Sequence, residues 1–441
     1  MKLIIFLLCA LFLIGNTKII NFQTEGGIPD DSSLETQWKN GRLMNTTLSS
    51  LQPYDTFLVP NKTFHLMGGI KAQDLKSIII QVDGTLIFSN NIKEWPTDAK
   101  KNVLDCLQFD NIENVTFTSS GKGVLDGSGE KWWGAIGYLL YAENRPKILH
   151  IKNSRKLLVE HLFFKNSPYW TFWAKDIDGL EVRYSSIDAR ITKEDKHTIR
   201  DLTAFNTDGF DVTGKNVWIH DSTVWNQDDC FCVKDGSENM LFENINASGV
   251  GLTIGSISGS TVRNITFRNV YMHHTYKGIY MKFRAGDKPG LIADVLYENI
   301  YMEAPDQWPI WIGPAQQSDS VDLCAAHPCS ICWPLDPFAK CWLPAAGKYE
   351  NITLRNITIN NPKKVGVIMA NQTNPMNNVV FDGVRVTGVD KKKKDIQYFR
   401  CESVVGGVAL GDTWPVPPCF TDKTNRAEEE GEEENIEMIH Y

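Results

Sequence analysis

Beyond its first fourteen residues the chain has no apolar run long enough to cross a bilayer as a helix, which takes about 20 residues. It also has no excess of positive charge. Lys and Arg number 45 against 53 Asp and Glu, for a net charge of −8 and a pI near 5.7. Duplex-binding surfaces are basic, so this balance argues against nucleic acid as a partner. It does not exclude an anionic polymer, because a few local cations suffice to line a groove. Helical periodicity is scarce after residue 51, and irregular loops with a periodic asparagine, in place of hairpin turns, argue against a β-sandwich of short strands. What remains is an ordinary soluble composition, 42% hydrophobic and 22% charged, distributed in short strand-like runs.

Residues 1–17 read as a secretory signal peptide. Lys2 supplies the positive start, and Leu3–Ile14 is an apolar run of twelve residues, too short for a ~30 Å hydrocarbon core. Cleavage removes Cys9 and leaves nine cysteines. An oxidising compartment favours pairing, with at least one thiol left over. Cys324, Cys329, Cys332 and Cys341 crowd into one proline-rich stretch, and Cys329-x-x-Cys332 has zinc-ligand spacing. In a secreted chain a disulfide-stapled loop is the expectation, and Cys401 can staple Cys419. Eight Asn-x-Ser/Thr sequons, at Asn45, Asn61, Asn114, Asn246, Asn264, Asn351, Asn356 and Asn371, fit the same destination.

The rhythm of the chain is that of a solenoid. Ser32–Leu51 carries a helical pattern, with Leu34, Trp38 and Leu43 at helix-like spacing and Ser32 or Ser33 as a cap. We expect this helix to close the N-terminal end of a β stack and cover its open edge. From Thr56 onward short runs alternate apolar and polar residues. A refrain then recurs, as in Asn114-Val115-Thr116-Phe117, Asn216-Val217-Trp218-Ile219, Asn239-Met240-Leu241-Phe242, Asn264-Ile265-Thr266-Phe267 and Asn351-Ile352-Thr353-Leu354. Several neighbouring copies lie about 22 to 31 residues apart. Units this small cannot bury a core alone, so they must stack. The expected fold is all-β, a single-stranded parallel β-helix over residues 18–420, with Ile, Val and Phe inside and Asn in the turns. Residues 306–348, with four tryptophans and six prolines, read as an insertion bordering a cleft. Lys391–Lys394 reads as a solvated turn, and residues 421–441 as an acidic, disordered tail.

Three carboxylates fall at coil-length spacing. Asp208 lies in Asn206-Thr207-Asp208-Gly209, and Asp228 and Asp229 follow twenty residues later in Asn226-Gln227-Asp228-Asp229. Adjacent strands are about 4.8 Å apart, so stacked coils would bring these side chains together. Glycosidic hydrolysis needs one carboxyl to protonate the leaving oxygen and another to activate water or attack the sugar. A roughly 6.5–9.5 Å separation suits inversion. Crowding would split the pKa values and keep one group protonated. The residues alone leave three readings open: hydrolase, calcium-dependent lyase, and structural turns, since aspartate is common there. Asp211 reads as a supporting or turn residue. His273, His274 and His327 read as ordinary polar residues with an outside prospect of lying near the cleft.

The string Asn206-Thr207-Asp208-Gly209, Gln227-Asp228-Asp229, Gly249-x-Gly251-Leu252-x-Ile254-Gly255-Ser256 and Lys282 resembles glycoside hydrolase family 28, the polygalacturonase and rhamnogalacturonase family of pectin-degrading enzymes. Gly123-Val124-Leu125-Asp126-Gly127 with Trp132-Trp133, and Asn166-Ser167-Pro168-Tyr169-Trp170, are similar to it as well. The resemblance implies a right-handed parallel β-helix and an inverting mechanism with no metal or cofactor. It makes Asp228 the general acid, Asp208 and Asp229 the pair that activates water, and Lys282 a ligand of the substrate's sugar carboxylate. Asn206, Gln227, Tyr280 and Arg284 are the further expected substrate contacts. Tyr280 offers an amphipathic ring for a sugar face or else packs in the ladder.

Two departures stand out. Val250 occupies the place of the histidine in the family's Gly-His-Gly, and Tyr280-Met281-Lys282 replaces its Arg-Ile-Lys. The two lost polar groups predict a substrate other than plain homogalacturonan, such as rhamnose-containing or decorated pectin. The insertion favours exo action by blocking one end of the cleft. The expected protein is a secreted, monomeric pectin hydrolase. The alternatives are a calcium-dependent pectate lyase-like enzyme and a non-catalytic carbohydrate-binding β-helix.

Overall fold

Strand-like runs one coil apart pair in parallel, so like positions stack into ladders. The computed structural model describes residues 17–425 apart from 122, 135–143, 193, 199, 318–323, 325–327, 334, 337 and 390–398. The signal segment through residue 16, His327, Lys391–Lys394 and the acidic run at 428–434 lie outside the described residues, while Thr421–Thr424, expected to belong to a disordered tail, instead form a strand paired in parallel with Val408–Gly411. Among the described residues no helix is long and apolar enough to cross a membrane. Nearly all the strands join one large sheet, wound as a right-handed parallel β-helix.

One interior ladder runs Phe172, Phe210, Phe231, Leu252, Ile279 and Ile310 in register. All six are fully buried, and each such side chain stabilises the fold by roughly 1.5–3 kcal/mol. The rings stack as well: Phe210 on Phe231 at 5.5 Å, and Phe242 on Phe267 at 4.5 Å. Asparagines form two further ladders at the corners, one through Asn239 and Asn264 and another through Asn299 and Asn356. Asn239, Asn264, Asn299 and Asn356 have positive φ, a conformation that asparagine tolerates. Their amides hydrogen-bond from coil to coil, Asn264 Nδ2 to Asn239 Oδ1 at 2.7 Å and Asn356 Nδ2 to Asn299 Oδ1 at 2.8 Å.

The helix forms at Leu34–Ser50 with Ser33 as its N-cap. It closes the N-terminal end of the stack with a different face from the one expected. Thr36, Asn40, Gly41, Met44, Thr47 and Leu48 turn inward, Leu34 is 37% exposed, and Trp38 and Leu43 are only partly buried. The reason is close approach. A Cβ at Gly41 would stand 2.5 Å from the Met67 carbonyl, and the Asn40 amide donates to the carbonyls of Ile28 and His65. Backbone docking, more than the large apolar residues, sets the helix's rotation.

Disulfides join Cys324 to Cys332, Cys329 to Cys341 and Cys401 to Cys419. Cys106, Cys230 and Cys232 are buried free thiols.

Candidate active site

Alternation along each strand sends every second residue away from the core. On one sheet this produces an outward row, in register, of His150, Trp173, Asp211, Cys232, Thr253, Tyr280, Trp311, Val367 and Arg400. The three aspartates gather at the middle of this face. Asp229 opens the strand Asp229–Val233. Asp208 sits in the turn that leads into Phe210–Trp225, and the Gly209 amide donates to the Asp229 carbonyl at 2.8 Å. One oxygen from each of Asp208, Asp228 and Asp229 lies within 4.8 Å of the others. Coil spacing thus brings the three together.

Two lysines divide the negative charge. Lys282 Nζ lies 2.9 Å from Asp229 Oδ2, and Thr253 Oγ1 donates to Asp229 Oδ1 at 2.7 Å. Burial pushes the Asp229 carboxyl up, but Lys282, Lys234 and these hydrogen bonds outweigh it and hold the group below its ordinary range. Lys234 lies 3.2 Å from Asp211 Oδ2 and 3.8 Å from Asp208 Oδ2. Burial, followed by Asp211 and Asp228, raises Asp208 well above the usual value. Burial also carries Asp211 to about 6 despite Lys234. Asp228 is raised by burial and then by Asp229, with Lys282 opposing. Carboxylates this close titrate as a unit. The cluster therefore combines an Asp229 held toward ionisation with neighbours shifted toward protonation. Asp228 is the least enclosed of the three, the position from which a proton can reach a ligand.

The other expected contacts divide. Asn206 is at the site, but its amide groups face the acid: its backbone N and Nδ2 lie 3.3 and 3.4 Å from Asp228 Oδ2. Gln227 is 2% exposed and its Oε1 lies 2.9 Å from His197 Nδ1. Arg284 is exposed, just past the end of the strand that carries Lys282. Tyr280 is 3% exposed and cannot serve as an open platform. It packs with Trp308, Trp311, Cys329, Val367 and Met369, and Val250 packs against the same cluster. The two departures in sequence thus contribute to a single apolar body continuous with the insertion. Lys277 and Lys282 flank the Tyr280 ring, at 4.8 and 4.2 Å from its centre.

Sequence reading missed Lys234, Lys277 and His197. His197 bridges two coils, to Gln227 and, through Nε2, to Ser248 Oγ at 2.8 Å. Burial lowers it to about 4, so it is neutral at pH 6. A lysine directly after the five buried residues Asp229–Val233 was the available signal for Lys234. The loop that delivers His197 has no periodicity to read. His273 packs edge-on against Trp225 at 4.7 Å.

A parallel β-helix with a lysine-balanced carboxylate cluster on one outer face defines a carbohydrate-cleaving class of protein. The model for glycosyl hydrolases family 28 matches residues 51–334, and the chain belongs to that family. Probable rhamnogalacturonase E from Aspergillus flavus is 33% identical over 189 residues, 42% of this chain and 37% of that protein. The chain thus spans well under half of that relative. An exopolygalacturonase from Cochliobolus carbonum is 24% identical over 365 residues, 75% and 73% of the two chains. In fold, the chain is similar to the endo-xylogalacturonan hydrolase from Aspergillus tubingensis, with a TM-score of 0.61 at 19% identity over 92% of this chain and 99% of that one.

Proposed function

We propose that this protein is a secreted hydrolase of α-glycosidic bonds in pectic polysaccharide, with rhamnose-containing or decorated pectin as its preferred form. The observation that carries the reading is the convergence of Asp208, Asp228 and Asp229 within 4.8 Å, charge-balanced by Lys234 and Lys282. Asp228 protonates the leaving oxygen, and Asn206 orients it through two hydrogen bonds. Asp229, held ionised by Lys282, draws the proton from the attacking water, and Asp208 beside it orients that water. Lys282 also presents its charge to a sugar carboxylate. The ammonium groups meet the charge requirement that a calcium ion would meet in a lyase, which favours hydrolysis over elimination. The apolar cluster of Val250, Tyr280 and the insertion's tryptophans borders Lys282, whose Nζ lies 4.2 Å from the Tyr280 ring centre, and supports a reading of short products released from a chain end.

The stereochemical course of this reading is inversion, with Asp228 as the acid and the water activated on the opposite face of the sugar.

The test is incubation with polygalacturonate and with rhamnogalacturonan, following products from the first minutes. Hydrolysis gives saturated reducing ends insensitive to chelator. Ultraviolet-absorbing unsaturated products suppressed by chelator would instead indicate a lyase, and binding without product a carbohydrate-binding protein. Proton NMR of the first-formed anomer separates inversion from retention.

A further inference from the structure

Several cations of the solenoid are matched with carboxylates on a neighbouring coil: Arg155 pairs with Glu113, Arg183 with Glu160, Arg263 with Glu238, and Arg268 with Glu243, all at 2.6–2.8 Å. Three cations on the C-terminal side of Asp228 are held differently. Lys277, Lys364 and Arg400 have no ion-pair partner among the described residues. Each lies instead over an aromatic face, Lys277 4.8 Å from the Tyr280 ring centre, Lys364 4.4 Å from Trp308, and Arg400 4.8 Å from Trp333. A ring face offers a cation about 0.5–1 kcal/mol at exposed sites and no full countercharge. Lys277 is 7% exposed, and its one polar contact is the neutral Gln307 Oε1 at 3.3 Å. A buried ammonium left in that condition is unfavourable. Burial, together with Lys282, lowers its pKa to about 8.

The three lie on different coils. Arg400 and Tyr280 stand in one outward row with Trp311 and Val367 between them. Three strand spacings give about 14 Å, too far for one carboxylate to bridge. We propose that Lys277, Lys364 and Arg400 form an anionic-sugar subsite that takes at least two carboxylates of a polyuronate on the C-terminal side of Asp228. The inference rests on the pectic reading of the site and adds where along the groove the acidic residues of the chain lie.

The test is binding, separate from turnover. In an Asp228→Asn background, a hexagalacturonate and its carboxyl-reduced neutral counterpart are titrated by tryptophan fluorescence. Lys277→Gln, Lys364→Gln and Arg400→Gln should each weaken the acidic ligand about tenfold, as expected for one charge-assisted contact. They should leave the neutral ligand's binding alone and flatten the salt dependence of the acidic one. Circular dichroism shows whether each variant is folded, and Lys277→Arg, which retains the charge, should recover part of the loss. Acidic ligand bound equally by wild type and the triple variant, or bound by neither, would overturn the subsite. Selective loss of acidic binding without cleavage of any pectic polymer by the native chain would uphold the subsite and sink the hydrolase reading.

Discussion

Lys282 Nζ stands 2.9 Å from Asp229 Oδ2, and the carboxylate is almost wholly enclosed. Burial alone would protonate Asp229; the lysine reverses that sign. With its folded pKa below the unfolded one, Asp229 contributes stability above the ordinary carboxylate range and loses it as pH falls through the folded value. Lys282→Met removes the partner and leaves a buried charge, a change that costs roughly 3–5 kcal/mol in such pairs. Urea unfolding at neutral pH should show that loss, and any remaining activity should have its acidic limb moved to higher pH. An unmoved limb would mean that Asp229 is not the base.

Asp228→Asn should lower turnover by a factor on the order of 10² to 10⁴, the usual contribution of general acid catalysis. Folding should survive, because the amide keeps the carboxylate's shape beside Asn206. Reducing-sugar release and thermal unfolding, measured on one preparation, check both halves. Near-native turnover would remove Asp228 from the role of acid.

Two buried groups tilt stability with pH in opposite directions. Asp211, raised to about 6, keeps its proton in the folded state after the unfolded chain has released it. Stability therefore falls as pH rises from about 4 to about 6. His197, lowered to about 4, resists the proton that the unfolded chain accepts near its ordinary value of about 6.5. Its contribution is thus lost as pH falls through that window. Asp211→Asn should therefore make Tm rise with pH from 4 to 6.5 more than it does in the wild type, and His197→Gln should make it rise less. Parallel Tm curves for all three proteins would show that these protons are not the ones being exchanged.

Sequons in the asparagine ladders should differ from sequons outside them. Asn264 and Asn356 already use their amide hydrogens to reach the coil before, and a glycan there would replace one of them and crowd the stack. Asn61 lies in an exposed turn. Expressed through a eukaryotic secretory pathway, the protein should carry sugar at Asn61 and none at Asn264 or Asn356. Glycopeptide mass spectrometry reads this directly.

The solenoid was legible because its physics is repetitive. The same alternation and the same left-handed asparagine return coil after coil, and a period in sequence becomes a ladder in space. The meeting of Asp208, Asp228 and Asp229 was legible for the same reason. Lys234 and Lys277 escaped because a single charge beside a buried strand repeats nothing. His197 arrives on an irregular loop, and its partners Gln227 and Ser248 belong to two different coils. The N-terminal helix was placed correctly but rotated wrongly, since contacts at Gly41 and Asn40 are invisible to a count of apolar spacings. Tyr280 illustrates a different failure. A tyrosine two residues from a binding lysine has the right chemistry for a sugar, yet whether a ring is bare or covered depends on what packs over it.

Val250 and Tyr280 share one greasy block with Trp308 and Trp311. An engineer wishing to graft a histidine and an arginine at those two places therefore cannot proceed one letter at a time. Either newcomer would be thrust among buried indoles. Retargeting this groove means exchanging the block whole, loop included, and its stapling cysteines mark where the cut must be made.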